Sequence, residues 1–456
     1  MSPVDRTPFD PRALGEAKAL AAPHRRLGVP VPAFAGRSIA NLTASLWQWL
    51  GRPEVDPPPL PPLERGLDPF RGGRPPGTVV VLLVDALGWS ALADSATRFP
   101  GGPAERWIRR ARPITSVFPT TTTIALTSLS TGSAPGQHGV VGHRVYLPRF
   151  GTVVEVLRMS PLGVGAPETL VGPDWSPSII SAVPSVFRRG LSGVALSRGR
   201  FEGSGFTRLL YDGATFVGYS AGSDFAISLV EILSRPEPPP LVFAYADDLD
   251  LAQHERGPLP ELVDLELERV SVLLSFVASH LPRGVAERTT MFVTGDHGQV
   301  PMDNDRQLAV DREPSILEHI ARPPAGDRRA AHFAARPGHL TALKEVLNAR
   351  LPPGGRLLEV PNSVEAGLYG PPPFHPELAE RLGDLLLLLP SPGGVGYSVP
   401  GARPRAHPMR GAHGGLEPAE LLVPLISGPL AELAGSSPAT AHLPRRPAGR
   451  GRSRKR

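Results

Sequence analysis

Residues Val79–Val84 (VVVLLV) form a continuous β-branched and apolar run, the pattern of a parallel strand buried on both faces. Comparable runs recur at Leu241–Ala246 (LVFAYA), Thr290–Thr294 (TMFVT) and 421–426 (LLVPLI). Helical patterns lie between them. In Pro260–His280, Leu262, Leu265, Val270, Leu273 and Leu274 are expected on one side. Strands alternating with helices predict an open, mostly parallel α/β sheet. No internal repeat is visible. Residues 1–76 are Pro-rich; 40–50 reads as a short amphipathic helix and the remainder as an irregular arm or linker, with order expected from Gly77.

Ligands in such sheets bind beyond the carboxyl ends of the strands. The polar residues of this chain collect there. VVVLLV ends in Asp85, LVFAYA is followed by Asp247, Asp248 and Asp250, and TMFVTG ends in Asp296-His297. One such acid is ordinarily a helix cap; three, with histidine beside them, exceed that explanation. Asp250 and His254 are four apart, so on a helix they share a face and can share a metal, although a surface ion pair gives the same spacing. Asp296-His297-Gly298 can turn both side chains toward one ion if the glycine permits a bend; a turn with a capping Asp is the alternative. His413, in GAHGG (411–415), is either a ligand carried on a loop or a plain loop histidine. Thr120 to Thr123 precede the apolar 124–129 and read as a helix start. There a hydroxyl meets the positive end of the helix, a place suited to a nucleophile that attacks phosphorus, or simply an N-cap.

Hydrophobic residues make up 41% and charged residues 20%, which supports a sizeable core and excludes wholesale disorder. The absence of cysteine excludes disulfides, a thiol nucleophile, Fe–S clusters and Cys-based zinc fingers. Any metal must therefore be held by His, Asp, Glu or hydroxyl groups. The net charge of +5 is concentrated at one end: residues 445–456 (RRPAGRGRSRKR) carry seven positive charges and no acid, leaving about −2 elsewhere. The body is thus no basic nucleic-acid surface. The tail, 431–456, is expected to be flexible, either simply solvated or in contact with nucleic acid or acidic lipid. No signal-peptide pattern opens the chain, and the longest apolar runs fall far short of the roughly 20 residues of a membrane span, so a soluble cytoplasmic protein is expected.

Five segments occur in order: LLVDALG, FPTTTTIALTSLSTGSAPGQHGVVGH, YADDLDLAQHERGP, VTGDHGQVP and GAHGGLEPAELLVPLISGP. Together they resemble the alkaline phosphatase superfamily, in particular its type I phosphodiesterase/nucleotide pyrophosphatase-like branch. The resemblance implies an alkaline-phosphatase-like α/β/α sandwich over 77–430, with 148–240 and 302–405 as substrate-side or edge insertions. It implies two divalent ions, one held by Asp85, Asp296, His297 and the nucleophile, the other by Asp250, His254 and His413. Zn²⁺ is expected, with Mn²⁺ or Mg²⁺ as alternatives. Position within the motif places the nucleophile at Thr122, with Thr120, Thr121 and Thr123 as neighbouring alternatives; Val117 stands where relatives often carry a threonine before Phe-Pro. His143 aligns with a phosphate-contacting asparagine, and His138 is expected either to orient this loop or to be structural.

The implied activity is hydrolysis of a small phosphoester or nucleotide through a phospho-threonine intermediate, as a phosphodiesterase or nucleotide pyrophosphatase. A phosphomonoesterase of the same superfamily and a non-catalytic phosphate-ligand-binding relative are the alternatives. Phe201, Phe206, Tyr211, Phe216 and Tyr219 are either base-stacking residues or core, and Arg198 and Arg200 are either anion contacts or ordinary surface charges. No role is evident for 302–405.

Overall fold

The structure, a computed structural model, describes residues 10–51, 60–399 and 408–435. The basic stretch 445–456 lies outside the described residues. A seven-stranded sheet forms the centre: β1 (Val79–Val84), β2 (Ala111–Thr115), β3 (Val194–Arg198), β4 (Thr215–Tyr219), β5 (Leu241–Ala246), β6 (Thr290–Thr294) and β7 (Leu422–Pro429), in the order β2-β7-β6-β1-β5-β3-β4. β1 is buried along its whole length between parallel neighbours, Val81 pairing with Phe243 on one side and Phe292 on the other. This matches its unbroken apolar sequence. β7 departs from the parallel reading and runs antiparallel to both β6 and β2. A parallel entry would need a crossover back to the other end of the sheet. The chain before β7 already lies at the carboxyl ends, so the strand enters from there and runs the opposite way. β3 and β4, from within 148–240, extend the sheet at one edge.

A second sheet is antiparallel, in the order Arg356–Glu359, Leu385–Leu388, Ala330–Phe333, Ala325–Gly326, Arg144–Leu147, Thr152–Glu155, Ser160–Pro161. Its Leu385–Leu388 strand pairs on both sides and contributes Leu385 and Leu387 to a separate small core with Phe333, Leu343 and Leu347. The molecule is a mixed α/β structure with a large, mostly parallel sheet, as the alternation of patterns requires.

Helix α1 (Pro11–Leu20) packs on the edge strand β2, and α2 (Ile39–Trp49), α3 (Thr122–Thr131), α4 (Asp248–Arg256) and α5 (Pro260–His280) complete the surroundings of the sheet. In α2 every residue except Gln48 is buried. Its Thr43 hydroxyl donates to the Leu129 carbonyl of α3, and Trp49 stacks on Phe292 of β6 with ring centroids 5.4 Å apart. The Pro-rich segment thus contains a helix wedged behind α3 and the sheet. α5 buries Val263, Leu267, Val270, Leu274 and Val277, an i, i+3/i+4 stripe. Leu265, expected on that face, is 68% exposed because it falls on the opposite side of the stripe. Among the described residues, no helix is long and apolar enough to cross a membrane.

Candidate active site

Three strand ends and two loops converge. β1 delivers Asp85, and the chain turns at once: Ala86 adopts φ 64°, a left-handed conformation, and its amide donates to Asp296 Oδ1 at 3.1 Å. β6 delivers Asp296 and His297 through a passage with no room for side chains. A Cβ on Gly295 would lie 2.2 Å from the Leu87 carbonyl, and one on Gly298 would lie 1.9 Å from the Ala419 carbonyl. The chain bends at Asp296, turning Asp296 and His297 to one cluster, and Gly298 serves close approach rather than a positive φ. α4 carries Asp250 and His254 one turn apart, and His413 follows a short strand, Gly411–Ala412, that pairs with Val300–Pro301 and continues into a loop.

Six of the seven expected ligand residues fall into two groups, each with its ligand atoms within 4.8 Å of one another: Asp85, Asp296 and His297, and Asp250, His254 and His413. In the first, His297 Nε2 lies 3.3 Å from Asp296 Oδ2, 3.6 Å from Asp85 Oδ1 and 3.2 Å from the Thr122 hydroxyl. In the second, His254 Nε2 lies 3.3 Å from Asp250 Oδ2 and 3.3 Å from His413 Nε2, which is 3.9 Å from Asp250 Oδ1. The His297 and His413 rings stack at 3.8 Å and join the two groups.

Each histidine is oriented in the same way. Nδ1 donates to a backbone carbonyl: Gly411 for His254, Gly298 for His297 and Thr120 for His413, at 2.9, 3.1 and 3.0 Å. A carbonyl only accepts, so Nδ1 holds the proton and Nε2 presents a lone pair inward, the arrangement of metal-bound imidazoles. Burial, then the charge of Asp296 and Asp250, pushes the Asp85 carboxyl well above its usual range. Burial and then His297 keep His413 well below the ordinary imidazole value, hence neutral.

The four consecutive threonines have four separate positions. Thr120 is buried and bonded to the 413–415 loop. Thr121 is the N-cap of α3 but its side chain makes no cap bond. Thr122 is the first helical residue, is partly exposed, and faces His297. Thr123 is buried, its hydroxyl donating to the Gly142 carbonyl. Gly132, at φ 69°, ends the helix.

His143 follows Gly142 and is half-buried, so its loop is tied to the first turn of α3. His138 lies wholly buried between Ser128 Oγ at 2.8 Å and the Val140 amide. Burial above all, then the charges of His375 and Arg381, lowers its pKa to about 3, consistent with a neutral, structural residue. Arg198 is ion-paired with Asp247 at 2.6 Å and with Asp248, and Arg200 with Asp247 at 2.7 Å. Of the three acids after β5, only Asp250 therefore joins a cluster. Phe206 and Tyr219 are buried.

Sequence reasoning passed over Tyr245 and Gln299. The Tyr245 hydroxyl donates to Asp85 Oδ2. Burial, then the charges of Asp85 and Asp296, holds the phenol well above its ordinary value, so it remains a donor. The signal was a hydroxyl in an otherwise apolar run. The Gln299 amide, oriented to satisfy its surroundings, donates to Asp250 Oδ1 at 2.9 Å and accepts from the His254 amide at 3.3 Å.

The family described as type I phosphodiesterase / nucleotide pyrophosphatase has a sequence model that matches residues 79–415. Among solved structures, murine ectonucleotide pyrophosphatase / phosphodiesterase 5 (ENPP5) is similar at TM-score 0.57 and 16% identity, over 77% of this chain and 88% of that one. Human ENPP5 gives 0.57 and 15%, over 77% and 87%. An inactive threonine-to-alanine variant of the murine protein, in complex with AMP, gives 0.56 and 16%, over 77% and 88%. At these identities the likeness speaks for the fold. No curated protein matches the sequence. Both residue clusters and α3 fall within the matched region, and the chain belongs to the type I phosphodiesterase / nucleotide pyrophosphatase family of hydrolases, within the alkaline phosphatase superfamily.

Proposed function

We propose that the protein is a metal-dependent phosphodiesterase or nucleotide pyrophosphatase that works through a phosphorylated Thr122. The observation that carries the reading is the position of the Thr122 hydroxyl, 3.2 Å from His297 Nε2 at the first turn of α3. Asp85 Oδ1 and Asp296 Oδ2 approach the same nitrogen, and both are buried without a hydrogen-bond partner among the described residues. Unpartnered buried carboxylate oxygens cost several kcal/mol unless a cation compensates. The Nε2 atoms of His254 and His413, both acceptors, face each other at 3.3 Å, a repulsive contact that a shared cation reverses. The donor set therefore fits two divalent ions. Asp85, Asp296, His297 and Thr122 would hold one, and Asp250, His254 and His413 the other. N and O donors without thiolate suit Zn²⁺, with Mn²⁺ or Mg²⁺ as alternatives. When bound, such ions lower the pKa of a neighbouring hydroxyl and offset phosphoryl charge.

The chain's own part follows. Thr122 Oγ1 forms a bond to phosphorus as the bond to the leaving oxygen breaks, and that oxygen departs as an alcohol or phosphate. The first-turn amides of α3, which receive no side-chain cap from Thr121, face the non-bridging oxygens, and His143 donates to one of them. Water then attacks the phospho-threonine, the P–Oγ1 bond breaks, and Thr122 is restored. The AMP complex of the murine relative supports a nucleotide or small phosphoester as substrate.

The test compares bis(4-nitrophenyl) phosphate with 4-nitrophenyl phosphate, with Zn²⁺ or chelator, for the wild type and Thr122→Ala. Metal-dependent preference for the diester, lost in the variant, is the expected result. Preference for the monoester would transfer the protein to a phosphatase role. Undiminished turnover by Thr122→Ala, or no turnover with Zn²⁺ or Mn²⁺, would sink the mechanism.

A further inference from the structure

From within residues 302–405, a buried arginine reaches the back of the 411–415 segment. Arg329, 1% exposed, follows the Ala325–Gly326 strand of the second sheet. Its guanidinium spans two carboxylates: Nε to Glu420 Oε1 at 2.7 Å, Nη2 to Glu420 Oε2 at 2.9 Å and to Glu417 Oε1 at 2.6 Å, with Nη1 on the Gly393 carbonyl. Glu420 is fully buried, and Oε1 also accepts the Gly415 amide at 2.8 Å. Gly415 lies two residues beyond His413. On the opposite side Thr120, also fully buried, donates its hydroxyl to the Gly415 carbonyl at 2.8 Å and accepts from the Gly414 amide at 3.1 Å. Its own carbonyl takes the Nδ1 proton of His413. The loop has no slack. A Cβ on Gly414 would lie 2.9 Å from Asp327, and one on Gly415 would lie 2.7 Å from Glu420.

A buried Arg–Glu arrangement is costly to desolvate and contributes little net stability over an apolar packing of the same volume, so its presence calls for another use. We propose that Arg329, Glu420 and Thr120 are positioning residues that latch the 411–415 loop and fix His413 Nε2 toward Asp250 and His254. The latch bears directly on the second cluster, through His413, and on the first only through the contact of the His413 and His297 rings. The inference rests on the reading that these clusters take divalent ions.

The test is a Zn²⁺ titration of chelator-stripped, full-length protein against a chromophoric chelator, with thermal unfolding followed in parallel. The wild type is expected to bind two ions per chain. Arg329→Gln keeps one at wild-type affinity and binds the other about 10- to 100-fold more weakly, and Arg329→Lys recovers part of the loss. Thr120→Val keeps the β-branched shape, lacks the bridging hydroxyl, and carries the same expectation where Arg329→Gln fails to fold. A general weakening of the fold would lower both affinities together. Folded variants with two ions at wild-type affinity would overturn the latch alone; a wild type that binds no Zn²⁺ would overturn the metal reading and the latch with it.

Discussion

The Tyr245 hydroxyl donates to Asp85 Oδ2, and the other oxygen of that carboxylate, Oδ1, lies 3.6 Å from His297 Nε2 with no hydrogen-bond partner among the described residues. One side chain thus fixes which oxygen faces the cluster. Tyr245→Phe removes the donor while keeping the ring in place. We expect Zn²⁺ affinity at the first cluster to fall about 10- to 100-fold, with turnover largely restored by excess metal. A titration of activity against free Zn²⁺ decides it; an unchanged midpoint would show that the tyrosine does not orient Asp85.

In the metal-free protein, Asp85 should cost increasing stability as pH rises. Burial, with Asp296 and Asp250 nearby, holds the folded Asp85 pKa above its unfolded value. The stability associated with the protonated carboxyl is therefore full below the unfolded pKa and is lost as pH rises through the folded one. In chelator, Asp85→Asn should unfold at a higher temperature than the wild type at alkaline pH and at a similar temperature at acidic pH. Zn²⁺ should stabilise the wild type much more than the variant. Parallel pH curves for the two metal-free proteins would contradict the assignment.

Neighbouring threonines should separate chemistry from scaffolding. Thr122→Ser keeps a hydroxyl beside His297 and is expected to retain measurable turnover, whereas Thr122→Ala loses it by roughly a thousandfold or more. Thr123→Val removes the bond to the Gly142 carbonyl and is expected to cost about 1 kcal/mol of stability. Its kcat should stay within a few-fold of wild type. Denaturant titrations and initial rates on the three variants provide the check.

Gly298→Ala is expected to be severely destabilising although it adds a single methyl group. The new carbon would lie 1.9 Å from the Ala419 carbonyl, so backbone must move. The expected loss is about 3 kcal/mol or more, with His297 displaced. Urea unfolding measures the first effect and Zn²⁺ binding the second; a variant of native stability would mean that the two segments are not held in contact.

The sequence exposed much of this arrangement because the relevant signals are local. β1, β5 and β6 are legible as unbroken apolar runs, since a strand covered on both faces has no polar side to show. Asp85 and Asp296-His297 stand where those runs stop. The direction of β7 was not legible, because an apolar run carries no record of which end it enters from. Neither was the second sheet: its strands are two to four residues long, and partners such as Arg144 and Gly326 are far apart along the chain. Leu265 misled because leucine on an exposed helical face looks the same as leucine on a buried one. The four threonines were visible as a group, but their division of labour depends on carbonyls supplied by residues 142 and 415.

Helix α2 has a consequence for how this protein is divided. The region of likeness to the family begins at residue 79, yet α2 ends at Trp49, whose ring covers Phe292 of a central strand, and Thr43 is bonded to the back of α3. A chain trimmed to the matched region would bare the Phe292 ring and leave the helix that presents Thr122 unsupported from behind. The packed unit is therefore larger than the matched region, and α2 serves as a built-in brace for α3 and the central sheet.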